Sequence, residues 1–178
     1  MGPTFVYVAA LMLVIFSTSC DESRERPSFL DIPEERSELI SGIESYSSID
    51  QINALLGDAA KNWDIIENSG KPSSNDSRPP FKIFTAVVHE YEYLGFTGDL
   101  KLSFFNDRLM STVFYPTDFN GFVTRVRLTL PNLKEINPET LPPATQVTIG
   151  TDYQKKQYVS WEDVRLVEEF SIWIRRYS

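Results

Sequence analysis

The run 81–93 restricts the fold most, because its aromatic and β-branched residues predict one long strand. Over 100–104 apolar residues alternate with polar ones, which predicts a second, half-buried strand. The pair Asn106-Asp107 then predicts a turn into a strand over 109–115, and the alternation over 122–130 predicts another strand. Since these strands follow one another through short connections, we expect an antiparallel meander.

Two short helices are expected before the sheet. Asp31 and Glu34 have the spacing of a capping box, and a helical stripe follows them. Ser48 and Gln51 repeat that spacing, and Gly57 is typical of the C-terminal end of a helix. The stripe of the first helix consists of Leu39, Ile40, Ile43 and Tyr46.

Two segments rich in proline and turn residues, 68–80 and 131–143, predict exposed loops. A turn or short element around Trp63 leads into the first loop. After the second loop we expect a short strand around Val147 and Ile149, paired with a strand at Tyr158-Val159.

The last segment predicts an amphipathic helix. Ser160 and Asp163 have capping-box spacing, and Arg175-Arg176 lie in the last turn, where the helix dipole favours cations. Its apolar face consists of Leu166, Val167, Phe170, Trp173, Ile174 and Tyr177. The expected fold is therefore one α+β domain over 31–178. It has two short N-terminal helices, a meander of about four to five strands, and the C-terminal helix packed on the sheet, with one helical layer on one sheet face.

Charge and composition exclude several classes of function. The chain has 17 Lys+Arg against 25 Asp+Glu, a formal net charge of −8, and this argues against a nucleic-acid-binding protein. Its single Cys excludes an intramolecular disulfide and a multi-thiolate metal site. Its single His excludes a multi-histidine metal cluster, so we expect no metal and no cofactor.

The N-terminus carries a second specific pattern. The run 5–16 is apolar and uncharged, too short to cross about 30 Å of hydrocarbon but of the right length for a secretory signal. Three small polar residues (17–19) follow, and then the single cysteine, Cys20. We expect residues 1–19 to be a signal peptide and residues 20–30, which are charged and polar, to be a tether.

This arrangement resembles the lipobox of bacterial lipoproteins. The resemblance implies cleavage before Cys20, diacylation of its sulfur and acylation of the new N-terminus. Two or three acyl chains anchor a protein stably, whereas one holds it only marginally. A cleaved secretory signal with an incidental cysteine and an uncleaved N-terminal anchor are the alternatives.

Two segments of the mature chain are similar to elements in another group of proteins. One is similar to a helix ending in Leu-Gly, Ser47–Asp58 (SSIDQINALLGD), and the other to a strand-turn-strand, Leu100–Leu109 (LKLSFFNDRL). With the lipobox and two short helices, the chain resembles small envelope lipoproteins of the BamE (SmpA) type. The resemblance implies an envelope setting and transfers no functional residue besides Cys20. The helix from Trp161 onward is additional to that pattern.

Catalytic chemistry has little support in the sequence. In a regular strand His89 points with Val87 and Tyr91, away from Glu90 and Glu92, so it cannot share a metal with its neighbours. A surface or packing role is the simplest reading of His89. The chain also lacks a nucleophile elbow, a phosphate-binding loop and an H-E-x-x-H pattern. We therefore expect a protein that is not an enzyme.

Aromatic residues are concentrated within and around the predicted sheet. An exposed patch among them would mark a binding surface, whereas a small aromatic core is the alternative. The candidate surface residues are Tyr91, Tyr93, Phe105 and Tyr115. The segment 153–161 mixes aromatic residues with Lys155 and Lys156. It suits an anionic partner or lipid head groups, or else is an ordinary solvated turn.

The expected function is that of a lipoprotein in the bacterial cell envelope, facing the periplasm or the outside, in either membrane. It would act without catalysis as a protein-interaction or assembly module. Its expected partners are the bilayer, through acylated Cys20, and an envelope protein, with no nucleic acid. A secreted inhibitor or ligand-binding module of the same fold is the alternative, and a hydrolase with carboxylate chemistry is a third.

Overall fold

A six-stranded antiparallel sheet organises the part of the chain that the computed structural model describes, residues 36–70, 79, 81–129 and 145–177. In chain order the elements are β1 (Glu38–Ile40), β2 (Ile43–Glu44), α1 (Ile49–Leu56), a 3₁₀ helix (Gly57–Asn62), β3 (Trp63–Gly70), β4 (Phe81–Tyr93), β5 (Phe96–Phe105), β6 (Arg108–Pro116), α2 (Phe119–Thr129), β7 (Thr145–Thr151), β8 (Gln157–Asp163) and α3 (Val164–Tyr177). Strands β1 and β2 form a separate small hairpin. The α+β class with an antiparallel sheet and a C-terminal helix is confirmed.

The order of strands in the sheet is β3-β4-β5-β6-β8-β7. Three neighbours, β4, β5 and β6, form the predicted meander, and the predicted pairing of the last two strands is confirmed by the register Ile149↔Val159. The turn or short element expected around Trp63 is an element, the eight-residue strand β3, which pairs with β4 over its whole length. Residues 68–70 of the first predicted loop belong to β3. Of the rest of that loop only residue 79 is described, and the loop predicted over 131–143 lies outside the described residues.

The first of the two expected N-terminal helices is wrong in its described part, where the chain forms the β1–β2 hairpin. Ser41 and Gly42 both have positive φ, 35° and 74°, which a right-handed helix does not allow. The apolar stripe is nevertheless buried, with Leu39, Ile40 and Ile43 each at most 2% exposed. The second expected helix is confirmed as α1, whose N-terminus has the predicted capping box between Ser48 and Gln51.

The strand expected over 122–130 is also wrong, because residues 122–129 belong to α2. Its buried residues Phe122, Val123 and Val126 follow the helical spacing i, i+1, i+4. Asp118 stabilises the first turn, since its carboxylate accepts the N–H of Gly121 at 3.0 Å. β-Branched residues on both alternating sets of this segment favour a strand only weakly, and tertiary packing overrides that preference.

Helices pack on both faces of the sheet, so the expectation of one helical layer on one face is wrong. Phe104 of β5 is fully buried in one hydrophobic cluster with Phe122 of α2 and Ile52 of α1. The next residue, Phe105, points to the opposite face, as side chains alternate along a strand. There it contacts two aromatic residues of α3, Phe170 at 5.1 Å and Trp173 at 6.1 Å between ring centroids.

Asp163 connects β8, α3 and the β1–β2 hairpin. It also caps α3, so the cap expected at Ser160 is wrong. Its fully buried carboxylate accepts the N–H of Arg165 at 3.0 Å. It also accepts the guanidinium of Arg165 at 2.7 Å and the hydroxyl of Ser45 at 2.7 Å. Burial by itself raises the pKa of Asp163, but these hydrogen bonds outweigh burial and lower the pKa below its usual value.

A second buried charge lies beside this group. Arg108, only 4% exposed, binds the carboxylate of Glu169 on α3 through both terminal nitrogens. The guanidinium groups of Arg108 and Arg165 lie 5.8 and 5.6 Å from the centre of the Tyr46 ring. Helix α3 is therefore held to β6 and to the hairpin by charged groups as well as by aromatic packing.

We predict that Asp163→Asn lowers the free energy of unfolding by about 2 kcal/mol at pH 7, because it removes the buried charged acceptor of hydrogen bonds from Arg165 and Ser45. Urea denaturation measures this change. The exposed Asp58→Asn is the control and should change stability by less than about 1 kcal/mol.

We also predict how the free energy of unfolding of the wild-type protein and of Asp163→Asn depends on pH. Because folding lowers the pKa of Asp163, its carboxylate contributes fully above about pH 4, the unfolded value, and this contribution is lost as pH falls through the folded value. The difference in free energy of unfolding between the wild-type protein and Asp163→Asn should therefore decrease at acidic pH. A difference that stays constant down to about pH 2 would contradict a lowered pKa of Asp163 in the folded protein.

Candidate functional site

The second face of the sheet is the candidate functional site. Helix α3 covers the end of this face that contains Phe105, and no other described helix packs on it. Along β5 the side chains of Asp99 and Lys101 alternate with the buried Leu100 and Leu102, so they point to this second face. We call the part beyond α3 the open face.

Strand alternation places His89 on the open face, and a bulge in β4 turns Tyr91 away from it. The register between β4 and β5 shifts between Val88 and Tyr91, and Glu90 has a φ of 55°. His89 therefore points with Val87, as expected, but Tyr91 does not. Tyr91 turns to the opposite face, where it packs against Phe114.

Both nitrogens of the His89 ring bind carboxylates from the neighbouring strands. Nδ1 lies 3.0 Å from Asp99 Oδ1 on β5, and Nε2 lies 3.2 Å from Asp64 Oδ2 on β3. The hydrogen bond to Asp99 and then the one to Asp64 raise the pKa of His89, because a protonated imidazole can donate to both. The ring is thus a link across three strands, with neither nitrogen available to a substrate.

Two tyrosines extend this line of side chains across the sheet. Tyr115 of β6 pairs with Asp99, and its ring lies 5.7 Å from that of Tyr158 on β8. The Tyr158 ring lies over Gly150 of β7, where a Cβ atom would come within 2.7 Å of it. Burial, and then the charge of Asp152, raise the pKa of Tyr115. We call Asp64, His89, Asp99, Tyr115 and Tyr158 the polar row; it crosses five neighbouring strands.

The four predicted surface aromatics do not form one exposed patch. Phe105 is fully buried beneath α3, so its expected exposure is wrong. Tyr91 and Tyr93 lie on the opposite face and pack against the core around Phe114. Only Tyr115 lies on the open face, where its partner is Tyr158. Strand alternation and the bulge in β4 explain this division.

The predicted lipidation residue, Cys20, lies outside the described residues. Within the described ranges, no helix is long and apolar enough to cross a membrane. Nor do these ranges contain a group of three or more histidine, cysteine, aspartate or glutamate residues arranged to hold a metal ion. A shallow, open groove runs along α3 and is lined by Phe170, Ser171, Ile174 and Arg175.

Comparison with known proteins gives no relative for this chain: no family model matches it, and no curated protein sequence matches it.

We predict that the pKa of His89, followed by NMR of its imidazole protons, lies above the usual 6.5 or so of histidine. Asp99→Asn should lower this pKa most and Asp64→Asn less, because each removes one carboxylate acceptor. Glu92→Gln removes an equal charge nearby without removing a hydrogen bond to the ring, and should leave the pKa unchanged. An equal effect of all three variants would show that general electrostatics, not the two hydrogen bonds, sets the pKa.

Proposed function

We propose that this protein is a lipid-anchored lipoprotein of the bacterial cell envelope that acts, without catalysis, as a protein-interaction or assembly module. The anchor is the acylated Cys20, and the interaction surface is the open face with its polar row. The two halves of the proposal rest on different parts of the chain and are tested separately.

The N-terminal sequence supports the anchor. The uncharged apolar run 5–16 has the length of a secretory signal, and small residues separate it from Cys20, the single cysteine of the chain. Charged residues begin directly after Cys20, at Asp21 and Glu22. A secretory signal followed at once by an acylated cysteine and a polar tether would leave the domain held at a membrane surface.

The polar row is the observation that carries the interaction half. Its members present partly exposed aromatic rings next to hydrogen-bonding groups on a pleated, rigid surface. Tyrosine is enriched at the centres of protein interfaces, since its ring supplies contact area and its hydroxyl a hydrogen bond. The row is fixed by its own contacts, His89 to two carboxylates and Tyr115 to Tyr158. A partner would therefore meet a surface that needs little ordering on binding.

The geometry gives catalysis and small-ligand binding less support. His89 has both ring nitrogens engaged, so it is not placed to accept a proton from a substrate. The groove along α3 is shallow and open, unlike the enclosed clefts that bury most of a small ligand. The alternative, a secreted inhibitor or ligand-binding module of the same fold, differs from our proposal mainly in lacking the anchor.

The similarity to BamE-type lipoproteins contributes little to this proposal. Its two segments fall on a helix followed by Gly57 and on the β5–β6 hairpin. However, the first of the two short helices on which it also rested is the β1–β2 hairpin in the structure. We therefore transfer no partner from that family.

We predict that the membrane-extracted protein has an intact mass corresponding to a chain beginning at Cys20 with acyl chains attached. The Cys20→Ala variant should lack this modification. An unmodified soluble mass for the wild-type protein would remove the anchor, and the secreted module would then be the better explanation.

We also predict that a photo-crosslinking amino acid at Tyr115 or Tyr158 captures an envelope protein in living cells. The control position is Ile172, which is 44% exposed on α3 and lies outside the open face. Equal crosslinking from all three positions, or none from the two tyrosine positions, would contradict an interface on the open face.

A further inference from the structure

The loop that joins β7 to β8 has a fixed conformation. We call residues 152–156 the hairpin tip. Asp152 and Lys156 pair through their backbones at 2.9 Å, and the N–H of Lys155 donates to the carbonyl of Asp152 at 3.0 Å. The Asp152 carboxylate accepts the N–H groups of Gln154 and Lys156 at 2.9 and 2.8 Å. The one acidic side chain of the tip is therefore turned toward backbone amides.

The outward side chains of the tip are an aromatic ring and two ammonium groups. Tyr153 is 92% exposed, whereas every other described tyrosine is at least partly buried. Lys155 and Lys156 are exposed, and neither has an ion pair with any residue in the described ranges. Lys155 also has a φ of 65°, a left-handed conformation that glycine and asparagine adopt more readily.

The charge of the whole chain selects the surface that the tip fits. With a formal net charge of −8, most of the protein surface is repelled by an anionic bilayer. A projecting tip with two lysines is attracted to anionic head groups, and a tyrosine ring is well suited to the boundary between head groups and acyl chains. An anionic bilayer thus accounts for both the aromatic ring and the two cations.

We propose that the hairpin tip is a second membrane contact, in which Lys155 and Lys156 bind anionic lipid head groups and Tyr153 enters the interface. This inference rests on the proposed anchor, which brings the domain to a bilayer. Cys20 and Arg36 are 16 residues apart, a separation that spans at most about 55 Å. The tip lies one length of β8, about 23 Å, from Asp163. Asp163 accepts the hydroxyl of Ser45, which itself accepts the N–H of Ser37, the residue after Arg36. The tether is therefore long enough for anchor and tip to meet one bilayer.

The test uses the full acylated protein in nanodiscs of phosphatidylglycerol or of phosphatidylcholine, with chemical labelling read by mass spectrometry. Acetylation of Lys155 and Lys156 should be about fivefold slower in the anionic discs, as expected for about 1 kcal/mol per lysine. Nitration of Tyr153 should also be slower in the anionic discs. About 0.5 M NaCl should restore the rates of acetylation and nitration, because salt screens the attraction to the head groups. Lys82 and Lys101, which lie on β4 and β5, serve as internal references that should not change.

Two matched variants separate the tip from general charge. Lys155→Gln/Lys156→Gln should abolish the lipid-dependent protection of Tyr153. Arg125→Gln/Arg127→Gln removes the same charge from exposed positions on α2 and should leave that protection intact. Loss of protection in both variants would overturn a specific role of the tip.

The remaining outcomes distinguish the tip from the anchor. If the protein enters both kinds of disc but labels equally in them, the tip proposal is wrong and the anchor stands. If it enters neither, the anchor fails. Phosphatidylglycerol vesicles added to the same protein then decide, since protection of Tyr153 upholds the tip contact and its absence overturns it. Protection in native membranes but not in anionic discs would assign the tip to an acidic protein, which also overturns the lipid proposal.

Discussion

The buried carboxylate of Asp163 is the interaction on which the rest of the architecture depends. A carboxylate removed from water is unfavourable unless charged and polar donors replace its hydration. Arg165 and Ser45 provide these donors, so the end of β8, the start of α3 and the β1–β2 hairpin must be in place together. The Arg108–Glu169 pair repeats this arrangement one turn further along α3. In both groups a charged side chain of a strand is held in place by a side chain of α3.

The position of α3 in turn determines what the sheet exposes. The helix starts at Asp163 and covers Phe105, so it fills one end of the second sheet face and ends there. The polar row lies at the other end, beyond the helix. Because α1 and α2 occupy the first face, the hydrophobic core and the open face are separated by a single layer of strands. The interaction surface that we propose is therefore an open sheet face and not a cleft.

Local patterns in the sequence were sufficient for α1, the central strands and α3, and insufficient for α2, the β1–β2 hairpin and the site. The capping box at Ser48 predicts its helix because its hydrogen bonds join residues that are near in sequence. The run 81–93 predicts its strand through its aromatic and β-branched residues. The segment 119–129 has β-branched residues on both alternating sets, and its helix depends on the cap at Asp118 and on packing of its buried face. In the β1–β2 hairpin a helical apolar stripe is interrupted by one pair of positive φ angles, at Ser41 and Gly42.

The polar row could not be predicted because it depends on contacts between distant segments. His89 lies on the open face while Tyr91 faces the core only because a bulge shifts the register of β4 against β5. Tyr158 is a neighbour of Tyr115 because β8 inserts between β6 and β7, so strands adjacent in space are not adjacent in sequence. Strand order and register are decided by the whole sheet, and a single strand does not encode them.

The composition of the row indicates what a partner must offer. When His89 is protonated, it offsets one of the two carboxylates that flank it, so the three side chains carry one net negative charge. Its raised pKa preserves this state to higher pH than for a free histidine. The Tyr115–Tyr158 pair beside them is less polar and partly buried. A complementary surface would place N–H donors or a cation opposite the carboxylates and an apolar or aromatic group against the tyrosines.

The lysines of the hairpin tip would suit the opposite chemistry, so the two surfaces are not interchangeable. A protein bound to the row and a bilayer bound to the tip would therefore not compete for the same residues.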